Sequence, residues 1–429
     1  MVERTTDDCG EPGPAPRVLI VSEHASVRFG GEAILPWHYF RYLRRRGIEA
    51  WLVVHARTRD ELVGLLPDEA DRMHFLPDTT FNKAMWHLGR LLPSKISYFT
   101  LGYASRLSTQ RAARALARRL IAAHRVDVVH QPIPVSPREP SLLYEMGAPV
   151  VIGPMNGDMS FPPAFSKGAG AAALKLSRKA TNLMNRLSPG KRRASALLVA
   201  NERTRRALPS GVQGEVLTLI ENGVDLEIWS TPEHSTRRDG PARFIFLGRL
   251  IPLKAVDLLL EALARVEIQP PPTLEVLGDG TIRAALEEQA ERLGLKDRVQ
   301  FSGWQSQTEC ARRLRDADVL VLPSIHECGG AVVLEAMACG KPVIATAWGG
   351  PLDYLDDSCG VLVPPDSREA LIAGLAEALS RLASDPDLRD RLGRAGRQRV
   401  EREFDWEAKI DDMLAVYRRA IARHAAQRP

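Results

Sequence analysis

The sequence predicts an α/β protein built from two Rossmann-like domains. Three observations predict it. Thirteen short runs rich in Val, Ile and Leu recur along the 429 residues. They are continuous rather than alternating, as in strands buried on both faces. Amphipathic stretches separate them, which gives βαβ units and parallel sheets. Thirteen strands exceed one compact doubly wound sheet, so two sheets of six or seven are expected. A chain that is 45% hydrophobic and 26% charged suits this. Disorder, collagen and coiled coil are excluded as the main architecture.

In chain order, the first seven strands are expected at Val18–Val21, Ala50–Val54, Met73–Leu76, Val126–His130, Val150–Gly153, Leu197–Ala200 and Val216–Ile220. The last of these could join either half. Six more follow at Phe244–Gly248, Leu274–Gly278, Val299–Gly303, Val319–Pro323, Val343–Thr346 and Val361–Pro364. Helical periodicity marks Ile34–Arg46, Ala104–His124, Val256–Val266, Ile282–Leu293 and Ala370–Leu382, among others. A polar loop over Pro232–Pro241 divides the chain. The expected organisation is a disordered leader over 1–16, domains over 17–215 and 216–405, and a helix over 406–429 that crosses back to the first domain. Chemistry is expected in a cleft where the strand C-termini of two facing sheets meet.

The formal net charge of +5 conceals an imbalance. From Phe81 to Arg206 the chain carries 21 Lys or Arg against five acids, a net of +16. The remainder is left with −11. Phe81–Arg125 has nine basic residues and no acid, with Trp86, Tyr98, Phe99 and Tyr103 interleaved, and Lys167–Arg206 adds eleven. Basic, aromatic and partly amphipathic stretches suit an anionic membrane surface. Nucleic acid is the rival partner and is disfavoured, because no recognition motif accompanies the charge.

Five scattered cysteines form no CxxC pair, which implies a reducing compartment and no zinc site. The N-terminus has no apolar segment of a signal peptide, and no apolar run reaches 18 residues. A cytoplasmic protein is expected, peripheral to the inner face of the membrane if the basic half docks there. No dinucleotide GxGxxG follows the first strand, and no phosphate-binding GxxxxGK[ST], GxSxG or HExxH occurs. Asp316 and Asp318 spell an Asp-x-Asp metal motif but straddle a helix end and a strand start, so no metal site is expected.

Two segments carry the chemistry. In Glu327-Cys-Gly-Gly-Ala-Val-Val-Leu-Glu335, one acid precedes a glycine pair and the other lies in the helix that follows. Backbone N–H groups at Gly329, Gly330 and Ala331 then sit at a helix N-terminus, suited to phosphate. A carboxylate on each side can accept sugar hydroxyls. In Gly248-Arg249-Leu-Ile-Pro-Leu-Lys254, two cations follow a strand end and suit a pyrophosphate. Leu277-Gly278-Asp-Gly280 and Phe301-Ser-Gly-Trp304 end the next strands with glycine turns. For each motif the plainer alternative is a helix cap, a solvated charge or an ordinary tight turn.

Together with Ala336-Met-Ala-Cys-Gly-Lys-Pro-Val-Ile-Ala345, Asn222-Gly-Val-Asp225 and Phe404-Asp-Trp406, these motifs resemble the family-4 retaining glycosyltransferases of the GT-B fold, over nearly the whole chain. The resemblance implies that Arg249 and Lys254 bind the donor diphosphate, Glu327 the donor sugar and Glu335 the ribose. Gly248 and Gly278 would line the donor site. Phe29-Gly30-Gly31-Glu32 is similar to the family's glycine-rich loop near diphosphate and acceptor. Asp127-Val-Val-His130 resembles its Asp-x-x-His, which makes His130 an active-site candidate that binds the transferred sugar. Asn156, in a strand-end segment with Gly157, is a candidate acceptor-side contact. The chain departs from the family at Cys328-Gly329, where Gly-Phe is more usual, so the donor sugar stays open. The implied reaction is metal-independent, retaining transfer from a UDP- or GDP-sugar to a glycan or lipid-linked acceptor, in bacterial surface-polysaccharide or glycoconjugate synthesis. No cofactor is expected beyond the co-substrate. The alternatives are a small-molecule or natural-product acceptor, and a non-catalytic or epimerase-type protein of the same fold.

Overall fold

The computed structural model describes residues 14–29, 31–92, 97, 100–166, 182–231 and 240–427. Residues 1–13 of the expected leader and residues 232–239 of the expected loop lie outside them. The chain forms two compact units. Among the described residues, unit 1 takes those within 14–158, 182–221 and 409–427, and unit 2 those within 159–166 and 222–408.

Unit 1 contains seven parallel strands in the order β3-β2-β1-β4-β5-β6-β7. They are β1 (Val18–Val21), β2 (Ala50–His55), β3 (Met73–Leu76), β4 (Val128–Gln131), β5 (Val150–Met155), β6 (Ala196–Val199) and β7 (Glu215–Thr218). Leu19 pairs with Trp51 on one side and Val129 on the other. Leu19, Val53, Val129, Ile152 and Leu197 are fully buried, because helices cover both faces of the central strands. The helix Leu101–His124 buries only a narrow stripe of Thr109, Ala113, Ala117, Leu120 and Ile121. It stops where Arg125 turns left-handed, at φ 49°.

Unit 2 contains six parallel strands in the order β10-β9-β8-β11-β12-β13. They are β8 (Arg243–Leu247), β9 (Thr273–Leu277), β10 (Val299–Gly303), β11 (Val319–Leu322), β12 (Val343–Thr346) and β13 (Gly360–Val363). Renumbered within the unit, this order is 3-2-1-4-5-6, the doubly wound order. The order reverses between β8 and β11, and between β1 and β4 in unit 1. Loops at those strand ends diverge to opposite faces and leave a crevice there.

The structure moves two expected boundaries. The edge strand β7 hydrogen-bonds along β6, with Leu197 opposite Val216 and Val199 opposite Thr218, so it belongs to unit 1 and not to the second domain. Residues 159–166, expected in the first domain, group with unit 2. Unit 1 also takes the C-terminal segment from Lys409. There Tyr417 and Ile410 are fully buried, and Arg419 pairs with Glu215 of β7.

Candidate functional site

The site in unit 2 is assembled from the loops that leave β8, β9 and β11. Leaving β8, Gly248 donates to Leu277 O at 3.0 Å and Leu250 to Asp279 O at 2.9 Å. Leaving β9, Gly278 adopts φ +142°, and a Cβ there would collide with the Gly248 carbonyl oxygen. Only glycine allows this approach of two backbones. The two loops therefore fix each other, and the segment Gly248–Lys254 is held at the end of its strand. It presents Arg249 exposed to solvent, with no ion pair among the described residues.

Pro252–Lys254 forms a short 3-10 turn, and Ile325 donates to Leu253 O at 3.0 Å. That bond joins the β8 loop to the β11 loop across the reversal of strand order. Lys254 Nζ forms an ion pair with Glu327 Oε2. The two side chains are 15% and 13% exposed, so the pair is shielded and feels less screening than a surface pair. Lys254 Cε lies 3.8 Å from where a Cβ on Gly248 would sit. A Cβ on Gly330 would lie 3.0 Å from Glu327 Cγ. Gly248, Lys254, Glu327 and Gly330 thus form one continuous lining.

Gly330 caps the helix Ala331–Ala338 in the left-handed conformation, at φ 82°. Gly329, Gly330 and Ala331 bring the unpaired N–H groups of the first turn next to Glu327. The helix is held from behind: Arg397, on the helix Pro386–Glu403, donates to Ala338 O, and Gly396 packs beside Met337. Glu335 lies on the second turn, half-buried, and burial pushes its carboxyl up to about 7. The Cys310 thiol is pushed up to about 11 by its own burial, with a smaller contribution from Glu335.

Two features of the site are not legible in the motifs. Residues Met159–Ser166 pack in unit 2, where Ser160 O accepts from Trp348 Nε1 at 2.8 Å. The Phe161 ring centre lies 4.8 Å from that of His326, the neighbour of Glu327. Trp304, just past β10, is 69% exposed.

Unit 1 treats its candidates differently. Gly30 lies outside the described residues. Gly31 opens a 3-10 turn with φ +55°, and a Cβ added there would meet no atom within 4 Å. His130, on β4, is fully buried. Its Nε2 pairs with Gly153 O at 2.6 Å and its Nδ1 with Tyr417 Oη at 2.8 Å. The Tyr39 ring stands edge-on at 4.6 Å. Burial lowers this imidazole to about 4, so it is neutral. A sugar contact by His130 would require one of those hydrogen bonds to open. Asn156 is 2% exposed. Its Nδ2 donates to Glu221 at 2.9 Å, and its Oδ1 accepts from Arg203 at 2.8 Å and from Asn201 at 3.3 Å. It too is occupied by the protein's own groups.

No group of His, Cys, Asp and Glu among the described residues is arranged to hold a metal ion. Asp318 instead accepts from the backbone N–H of Arg243 at 2.7 Å, at the N-terminal edge of the sheet.

Two family profiles match in tandem. Glycosyltransferase Family 4 matches residues 29–228, and Glycosyl transferases group 1 matches residues 227–399. The chain belongs to the family 4 glycosyltransferases. It is 35% identical over 204 residues to a glycogen synthase of Mycobacterium tuberculosis, covering 47% of this chain and 48% of that one. It is 33% identical over 234 residues to a D-inositol 3-phosphate glycosyltransferase of Kribbella flavida, covering 51% and 54%. The chain spans about half the length of these curated relatives. Among solved structures, the chain resembles HepE of Anabaena in complex with UDP, with a TM-score of 0.63 at 17% identity over 93% of this chain and 100% of that one. It also resembles a glycosyltransferase of Rickettsia africae, with a TM-score of 0.66 at 16% identity over 95% and 99%. The fold is GT-B.

Proposed function

We propose that this glycosyltransferase moves a sugar, with retention, from a nucleoside-diphosphate donor to a glycan or lipid-linked acceptor, and does so without a divalent cation. The observation that carries the reading is the continuous lining of unit 2, with Arg249 beside it and a helix N-terminus at its end. Breaking the anomeric C–O bond leaves negative charge on the diphosphate. Arg249, Lys254 and the first-turn N–H groups oppose that charge. The Lys254–Glu327 pair is the resting arrangement. An arriving diphosphate competes for Lys254, which frees Glu327 to accept hydroxyls of the donor sugar. Glu335, as the carboxylate, accepts the ribose hydroxyls. The acceptor oxygen bonds to the anomeric carbon on the face that the phosphate leaves, and its proton passes to the departing phosphate oxygen.

Neighbouring structures solved with UDP and with UDP-glucose favour a UDP-sugar over a GDP-sugar. Relatives named for glycogen and for inositol phosphate favour a hydroxyl acceptor. The basic stretch in unit 1 favours one at an anionic membrane, on the cytoplasmic side where nucleotide sugars are made. No helix among the described residues is long and apolar enough to cross a membrane. UDP release from UDP-glucose, with and without acceptor, tests the reading in Arg249→Ala and Glu327→Ala. Near-normal turnover in both would sink it. An inverted anomeric coupling in the product would remove retention, and activity abolished by EDTA would remove the metal-free part.

A further inference from the structure

Unit 1 has an open groove of about 770 Å³ on the flank of the helix Leu101–His124. One wall is cationic. Arg111, Arg114 and Arg118 follow one another at spacings of three and four residues, so they share a helix face. The helix has no acidic residue, and none of the three arginines pairs with a carboxylate among the described residues. Like charges at this spacing destabilise a helix unless something opposes them. Unit 2 shows the opposite habit: Arg312 and Arg313 share Glu309 one turn away, and Arg368 pairs with Glu261.

Arg114 is held as a fixed cation. Its guanidinium lies 4.0 Å from the centre of the Tyr144 ring and donates to Tyr144 O at 2.9 Å. Its Nε is buried and has no hydrogen-bond partner. Much of the remaining lining of the groove is apolar, with Tyr103 and Ser188 beside it. Leu107, Leu142 and Met184 line it, and Leu187 at its edge is 76% exposed. A free phosphate or a nucleic-acid backbone would leave that apolar lining in water. A molecule with an anionic head and a hydrocarbon tail satisfies both walls. Large apolar side chains are also exposed elsewhere in the basic stretch: Trp86 at 58%, with Arg90 over its ring at 5.2 Å, and Leu91 at 80%. Such residues insert at a bilayer interface.

We propose that this groove binds the phosphate headgroup of an anionic glycerolipid in a bilayer, with Arg111, Arg114 and Arg118 on the phosphate and Leu187 against the acyl chain. It is a docking site separate from the donor site of unit 2. The inference rests on unit 1 being the acceptor half, because a lipid-anchored acceptor is then delivered to the same unit.

The test is co-sedimentation of the full chain with phosphatidylcholine vesicles, with and without phosphatidylglycerol. The wild type is expected to bind only the anionic vesicles. Two arginines near a charged surface contribute about 1 kcal/mol each, so Arg111→Gln/Arg118→Gln should weaken binding about 30-fold. Both side chains are exposed, so UDP binding should not change and the melting temperature should not fall. Leu187→Ser should weaken vesicle binding at unchanged charge. The proposal is overturned if the wild type ignores anionic vesicles, or if the double arginine variant binds them as the wild type does. An equal loss in Lys83→Gln/Arg90→Gln would show diffuse attraction and no site. Displacement by single-stranded RNA at matched phosphate concentration would point to nucleic acid instead. Failure of the transferase reading shows up separately, as normal UDP release in Arg249→Ala.

Discussion

At the reversal of strand order in unit 2, polar side chains face outward or pair only with each other. Arg249 is exposed, and Lys254 and Glu327 hold one another in a shielded pair. At the corresponding position in unit 1, polar side chains turn inward. His130 has Gly153 on one nitrogen and Tyr417 on the other, and Asn156 is tied to Glu221, Arg203 and Asn201. The same sheet order thus yields two kinds of strand end. Where glycines let the loops pack backbone to backbone, the side chains are left free for a ligand. Where side chains fill the space between loops, they are spent on the fold.

Four experiments break or sharpen this contrast, in decreasing order of effect. Arg249→Ala should lower kcat about 10²–10³-fold, the usual loss for one electrostatic donor to a developing charge, measured as UDP release. An effect under tenfold would mean that the outward cation does not meet the leaving group. Next, Gly278→Ala should lower unfolding free energy by about 3 kcal/mol in denaturant titration, because its Cβ would meet the Gly248 carbonyl at an unfavourable φ. A neutral outcome would deny that backbone contact shapes the site.

His130 gives the third test. Folding lowers its imidazole from 6.5 to about 4. Between those values the unfolded chain holds a proton that the folded chain lacks. Its contribution is therefore complete above pH 6.5 and falls by up to about 3 kcal/mol as pH drops towards 4. His130→Asn should flatten that part of the stability curve and leave UDP affinity unchanged. A changed UDP-sugar KM would instead place His130 at the substrate.

The smallest effect is expected at Glu335, whose carboxyl burial raises to about 7. Ribose hydroxyls need the carboxylate as acceptor. UDP affinity should therefore rise up to about tenfold from pH 6 to pH 8 and level off above that, by calorimetry. Glu335→Gln should remove the dependence. Burial penalises the charged form, so Glu335 also lowers stability as pH rises from 4.5 to 7. A pH-independent affinity in the wild type would separate Glu335 from the ligand.

Much of the fold was legible locally. Val18–Val21, Met73–Leu76 and Val343–Thr346 form at the residues expected from their apolar runs, because a strand buried on both faces must be apolar throughout. The motifs at the strand ends of unit 2 were legible too, since Gly-Arg at a strand end and Glu-x7-Glu across a glycine pair are sequence-local. The helix Pro386–Glu403 lies outside the amphipathic stretches singled out from sequence. It buries only Leu388, Leu392, Gly393, Gly396 and Val400, and two glycines weaken any apolar stripe.

By itself, the sequence determined the two parallel sheets, the cations and carboxylates at the strand ends of unit 2, and the concentration of positive charge between Phe81 and Arg206. Periodicity, glycine placement and charge are properties of neighbouring residues. Only the tertiary structure decided that β7 joins the first sheet, that Lys254 meets Glu327, that residues 159–166 pack beside the Glu327 loop, and that His130 is closed in by Tyr417. Each joins residues far apart in the chain, from 19 in β6–β7 to 287 in the Tyr417–His130 bond. Contacts at such separation are selected by the packing of the whole unit, and no local pattern records them.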